Sequence, residues 1–147
     1  MHITFSSMDS DSPDLCYALT ARKNARHLSR LYDSHLAPAG LTVSQFSILS
    51  TLSAKGPQKT ADLADLLVME RTSLVRALKP LRAMGWIAPH PAAEGRGHEL
   101  ALTASGRKKT GAAVPLWRAA QRAFEAEVGR DRAIRQRDEI LGLNFSR

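Results

Sequence analysis

Residues 60–85 read TADLADLLVMERTSLVRALKPLRAMG, and the reading of this stretch decides the fold. Its first half places Leu63, Ala64, Leu66 and Leu67 at helical spacing behind Thr60, a hydroxyl residue of the kind that caps helix N-termini. A short helix capped by Thr60 and running to about Val68 is expected. A second helix starts afresh near Glu70 and runs to Met84-Gly85, where glycine supplies the left-handed backbone on which helices commonly close. Two short helices separated by a few residues have the layout of a helix-turn-helix. Pro80 departs from the simple pattern. It has no N–H to offer the Arg76 carbonyl, a loss that costs about 3 kcal/mol in a helix interior, and a bend rather than an end is expected there.

Upstream, Thr42 followed three residues later by Gln45 is a capping-box pair. Phe46, Ile48, Leu49 and Leu52 then form the apolar side of a helix ending near Lys55-Gly56-Pro57. Before that, Ser12-Pro13 offers an N-cap and a first-turn proline for a long helix of about six turns, in which Leu15, Ala18, Ala25, Leu28, Tyr32 and Leu36 recur up to Pro38-Ala39-Gly40. Its other face carries Arg22, Arg26 and Arg30 at i+4 steps, read as a solvated stripe. Downstream, Trp86–His90 is strand-like, Pro91–Gly97 is rich in turn residues, and His98–Leu102 alternates with period two, which together make a β-hairpin. From Thr103 the pattern is helical again, with Leu116, Trp117, Ala120 and Phe124 on one side, and it resumes from Val128 to Leu143 after a break near Gly129. The expected fold class is mainly α with a small β-hairpin wing, a winged helix-turn-helix carrying N- and C-terminal helices. We read residues 1–12 as a flexible tail and 13–147 as a single domain, with a winged lobe over about 42–103 and flanking helices over about 13–37 and 104–143.

A lobe of this shape meets a duplex by laying its second short helix in the major groove while the wing reaches the neighbouring minor groove or backbone. On a wheel of about 100° per residue, Leu74, Ala77, Leu78 and Leu81 share one side; Thr72, Arg76 and Lys79 share the other, with Ser73 on the shoulder. The Arg76 guanidinium suits guanine O6 and N7 bidentately, the hydroxyls of Thr72 and Ser73 suit base edges, and Lys79 suits a phosphate; Arg71 adds a cation at the helix start. Any amphipathic surface helix carries cations outside, so the local charge has to decide. From Lys55 to Lys109 the bases are Lys55, Lys59, Arg71, Arg76, Lys79, Arg82, Arg96, Arg107, Lys108 and Lys109, and the acids only Asp62, Asp65, Glu70, Glu94 and Glu99. That excess holds most of the formal +7 of the 147-residue chain, whose balance favours a polyanionic partner.

Composition excludes several other classes. With 44% hydrophobic and 24% charged residues the chain belongs among folded globular proteins. The single cysteine, Cys16, forms no intramolecular disulfide and no zinc-finger set. No apolar run approaches the roughly 18 residues of a membrane span, and the N-terminal stretch has no signal-peptide core, so a cytoplasmic protein without membrane partners is expected. His27, His35, His90 and His98 have no ligand spacing, and neither a phosphate-binding glycine loop nor a nucleophile elbow is present. The reading is therefore no metal, no cofactor and no enzymatic activity.

In order along the chain, Tyr32-Asp33, Leu36-Ala37-Pro38, Gly40-Leu41-Thr42 and Gln45-Phe46 are followed by Leu63-Ala64, Leu78-Lys79-Pro80-Leu81 and Gly85-Trp86-Ile87. Then come Glu94-Gly95-Arg96 and Leu102-Thr103-Ala104-Ser105-Gly106. From about Asp14 to the last helix this series resembles the MarR (multiple antibiotic resistance) transcriptional regulators. The resemblance implies a sequence-specific DNA-binding regulator, most often a repressor, whose terminal helices form a homodimer that reads a pseudo-palindromic operator. It implies a wing in which Arg96 enters the minor groove and Glu94 steadies the loop by pairing with a basic neighbour. Gly97 stands where many relatives carry a second arginine. A dimer also gives Leu15, Leu19, Leu116, Trp117, Phe124, Ile134, Ile140, Leu141 and Leu143 a partner surface. Small aromatic or anionic effectors, bound between the dimer helices and the winged lobe, are a further implication.

Leu15-Cys16-Tyr17-Ala18-Leu19 also resembles the Leu-Cys-aromatic-x-Leu of the family's hydroperoxide sensors, with Tyr32 matching one of their two tyrosines and Val43 replacing the other. The plainer reading of Cys16 is an inert, partly buried thiol. Two alternatives stand beside the DNA-binding regulator released by an effector: oxidant sensing through Cys16, and a winged-helix module that binds another protein.

Overall fold

In the computed structural model, which describes residues 11–92, 95 and 97–145, the helix-turn-helix stretch forms two helices, α3 (Thr60–Leu67) and α4 (Arg71–Ala83). Before them come α1 (Tyr17–Leu36) and α2 (Val43–Lys55); after them come the strands β1 (Ile87–Pro91) and β2 (His98–Leu102), then α5 (Ala104–Val128) and α6 (Arg130–Leu141). The expected class, mainly helical with one antiparallel hairpin, is the class found. The tail proposed over residues 1–12 lies almost wholly outside the described residues.

Local chemistry explains most element ends. The capping box forms: Thr42 Oγ1 accepts the Gln45 N–H at 3.2 Å and Gln45 Oε1 accepts the Thr42 N–H at 3.1 Å. Asp33 Oδ1 accepts the Val43 N–H at 2.7 Å, so the end of α1 is pinned to the exposed donors that open α2. Two expected caps differ. Ser12 and Pro13 do not open the long helix: the Ser12 hydroxyl accepts the Asp14 N–H at 3.4 Å over a single 3₁₀ turn, Pro13–Leu15. Cys16 is then extended, and its Sγ accepts the Leu19 N–H at 3.4 Å to cap α1. A proline near a helix start fits both arrangements, which is why the pattern merged them. Likewise Lys59 is the N-cap of α3 and Thr60 its first residue, with no side-chain cap.

Between α3 and α4 the chain reverses at Val68, whose φ of 51° is left-handed, while the Met69 N–H reaches back to the Ala64 carbonyl at 2.9 Å. Pro80 does not end α4, which continues to Ala83 and closes at Met84-Gly85, with Gly85 at φ 72°. In the hairpin Ile87 faces Leu102 and Pro91 faces His98. Gln58, in the link from α2 to α3, exchanges two backbone hydrogen bonds with Leu100, its N–H giving 2.9 Å and its carbonyl accepting at 2.7 Å, so an isolated β-bridge anchors the wing to the lobe.

The core fills the space between α2, α4, the hairpin and the first half of α5. Leu36, Leu49, Leu63, Leu74 and Leu81 are fully buried, and Trp86, Ile87 and Leu100 close it from the wing side. Each such leucine contributes on the order of 1.5–3 kcal/mol by leaving water. Leu116 and Trp117 pack onto this core, with the Trp117 ring stacked near Phe46 at 6.2 Å between centroids. Both are only partly buried: one side of each packs on the chain's own core, and the rest stays open to solvent. Leu15, Ile140, Leu141 and Leu143 stay exposed. No helix among the described residues is long and apolar enough to cross a membrane.

Candidate nucleic-acid interface

The packing of α4 sorts its side chains by function. Leu74, Leu78 and Leu81 are 0%, 2% and 0% exposed and fix the helix to the core. Arg71, Thr72, Ser73, Arg76 and Lys79 are all exposed, so the structure brings five of the six sequence-derived contact residues onto one free helix surface. Thr72 to Lys79 covers about 10 Å along the axis, a length that fits a major groove. Among the described residues none of Arg71, Arg76, Lys79 or Arg82 enters an ion pair. Their charges are left for a partner.

Arg96, the sixth residue expected from the sequence to contact DNA, and Glu94, expected to support the wing, lie outside the described residues. Gly97 has a φ of 113°, a conformation L side chains rarely adopt, so glycine serves the turn at this position.

A joint behind α4 holds this surface in place. Thr103 Oγ1 donates to the Gly85 carbonyl at 2.6 Å and accepts the Gly106 N–H at 3.0 Å, and the Thr103 N–H donates to the Trp86 carbonyl at 3.0 Å. Gly106 lies so close to Trp86 that a Cβ would fall 1.9 Å from its carbonyl oxygen. Lys109 Nζ sits 5.1 Å from the centre of the Trp86 ring. The Leu-Thr-x-x-Gly pattern is thus the hinge pin between the end of α4, the wing and α5.

Sequence reasoning passed over two residues here. Val75 is 55% exposed on α4 between the cationic positions, and with Thr60, Leu78, Lys79 and Arg82 it lines a cleft of about 290 Å³ between the start of α3 and the middle of α4. Sorting the helix into apolar and polar sides hid Val75, and Arg82 entered only a charge count. A wheel angle taken for each residue would have found both.

Away from α4, Tyr32 Oη donates to Gln121 Oε1. Burial, and secondarily the Glu125 carboxylate, raise the Tyr32 phenol above its usual value. Both tyrosine and glutamine border a cavity of about 170 Å³ between α1, α5 and α6, completed by Leu28, Phe124, Ile134 and Arg137 among others. Cys16 is exposed rather than partly buried, because it stands at the start of α1 where none of the described residues covers it.

The sequence pattern of the MarR family matches residues 41–90, which take in α2, the helix-turn-helix and β1 up to His90. The crystal structure of the M. tuberculosis transcriptional regulator MosR is similar with a TM-score of 0.75 at 35% identity, covering 89% of this chain and 96% of that one. MosR in complex with DNA gives a TM-score of 0.69 at 38% identity, covering 87% and 99%. An uncharacterized HTH-type transcriptional regulator of Bacillus subtilis (strain 168), YwoH, is 29% identical over 87 residues, 59% of this chain; the match spans 64% of that relative's length, a little under two thirds.

Proposed function

This chain belongs to the MarR family, whose members are DNA-binding transcriptional regulators and not enzymes, and from that premise we propose that it is a sequence-specific, double-stranded-DNA-binding repressor acting as a homodimer in the cytoplasm. The observation that carries the reading is the α4 surface: hydroxyls and unpaired cations held outward by three buried leucines. Arg76, Thr72 and Ser73 read base edges; Arg71 and Lys79 hold phosphates; Arg96 enters the minor groove with Glu94 as its support. MosR has been solved with DNA, which supports the same partner for this chain. A symmetric dimer would read two half-sites about 34–36 Å apart, one helical turn, in a pseudo-palindromic operator.

Release by a small aromatic or anionic effector is part of the proposal. A pocket of about 170 Å³ bordered by Tyr32, Gln121, Phe124, Glu125 and Arg137 supports an aromatic ligand, since roughly 150 Å³ holds a benzene ring, although it lies wholly among α1, α5 and α6 rather than against the winged lobe, and its Glu125 carboxylate disfavours an anion. An oxidant response through Cys16 is the second reading, favoured by the exposure of its sulfur. Peroxide treatment that leaves operator binding unchanged removes it.

The test is selection of duplexes from a random pool, followed by titration at stepped salt. A regulator enriches one pseudo-palindrome and loses affinity with a log–log slope of about −0.9 per phosphate contact. A winged-helix module for protein partners enriches none.

A further inference from the structure

Val75 presents an exposed β-branched apolar side chain at the edge of the surface assigned to DNA. Four residues before it is Arg71, four after it Lys79 and seven after it Arg82, so on the helix it is the apolar centre of a cationic stripe. Its neighbours Leu74 and Leu78 are buried, yet Val75 is 55% exposed and lines the cleft beside α3. At about 100° per residue it lies roughly 60° from Thr72 and 40° from Lys79, on the shoulder of the outward face. A helix of about 10–12 Å diameter fills a major groove about 12 Å wide, so a shoulder residue meets the groove wall. Valine offers that wall no hydrogen bond, and against a phosphate it would only remove water from the anion. Among the base edges, the apolar group exposed in the groove is the 5-methyl of thymine.

We propose that Val75 is a specificity-determining contact that reads the methyl group of one thymine in each half-site, while Lys79 and Arg82 hold phosphates of the strand beside the cleft. The inference rests on the DNA-binding reading above.

The experiment takes the duplex enriched by the full-length protein and replaces its thymines by deoxyuridine, one symmetric pair at a time, which removes only the methyl group. The parent is expected to lose about three- to fivefold per half-site at one position and little elsewhere. Val75→Ala, exposed and therefore expected to unfold at the parent's temperature, should bind the thymine and uracil forms of that position equally. If no thymine in the operator shows a methyl effect, or if Val75→Ala keeps the parent's preference for thymine, the proposal fails. A Val75→Ala variant that weakens on every duplex while the methyl effect persists would assign Val75 to deoxyribose instead, which also overturns it. Enrichment of no duplex at all is a different failure, that of the regulator reading itself.

Discussion

Arg76 and Lys79 sit three residues apart on the same exposed face, but their chemistry predicts different losses. A planar guanidinium binds two atoms of one guanine, so Arg76→Ala should cost about 1–3 kcal/mol on the operator and flatten the preference for that base pair. An ammonium is a point charge for a phosphate: Lys79→Ala should weaken all duplexes alike and reduce the salt slope by about one contact. Titration of both variants against operator and single-mismatch duplexes at several salt concentrations separates the two, and equal behaviour would contradict the assignment. Gly106 makes a sharper residue-scale case. Its absent Cβ would stand 1.9 Å from the Trp86 carbonyl oxygen and 2.8 Å from the carbonyl carbon, both backbone atoms that no rotamer change can move. Gly106→Ala must therefore push α5 away from the wing, at a cost of about 1–3 kcal/mol in denaturant unfolding. Exposed Ser105 beside it should tolerate alanine within about 0.5 kcal/mol. The glycine itself was legible in the sequence as part of a pattern. Its physical reason was not, since Trp86 lies twenty residues earlier in the chain and only the packed structure brings its carbonyl there.

At the scale of elements, what was legible is what short-range chemistry decides. The capping box at Thr42 and Gln45, the two short helices and the hairpin all depend on residues within a few positions of one another. The bridge made by Gln58 was not, because one residue paired with Leu100 leaves no period in the sequence, and the separate 3₁₀ turn at Pro13 differs from a helix start only in how Cys16 is extended. Val68 shows the same boundary from the other side. The sequence placed the end of α3 there correctly but gave no reason to suspect a left-handed valine. That conformation costs a residue with a Cβ about 1–2 kcal/mol, and at 93% exposure the side chain returns almost nothing by burial. Val68→Gly removes the steric cost, and the larger entropy of glycine in the unfolded chain offsets about half of it. We therefore expect net stabilisation on the order of 0.5–1 kcal/mol, read as a rise of a few degrees in thermal unfolding. A lower unfolding temperature would mean that the turn between α3 and α4 is held by something other than the backbone bond from Met69 to Ala64.

For the whole molecule the open question is what covers the far end from the winged lobe. Leu15 is 59% exposed, Ile140 55%, Leu141 74% and Leu143 59%, contributed by the turn before α1, the end of α6 and the residues just after it. Between them runs an apolar groove of about 760 Å³, bordered by Leu15, Tyr17, Ile140 and Leu143. Contiguous exposure of this kind is what an association surface looks like, unlike a singly exposed leucine. From the sequence alone these residues were indistinguishable from Leu116 and Trp117, which the fold packs partly against its own core; helical spacing reports that a face is apolar, not which body covers it. A second copy of the chain on this groove would set two α4 surfaces at a fixed separation, and the affinity gained from such linkage is on the order of 10²–10⁴-fold without any new contact to DNA. The double variant Leu15→Glu with Ile140→Glu puts four carboxylates into the dimer contact while touching neither the core nor α4. It should sediment as a folded monomer of unchanged helicity, bind a single half-site within about twofold of the parent, and lose on the order of 100-fold on the full operator. Were the variant still dimeric, with operator affinity intact, the two readers would have to be held together by another surface.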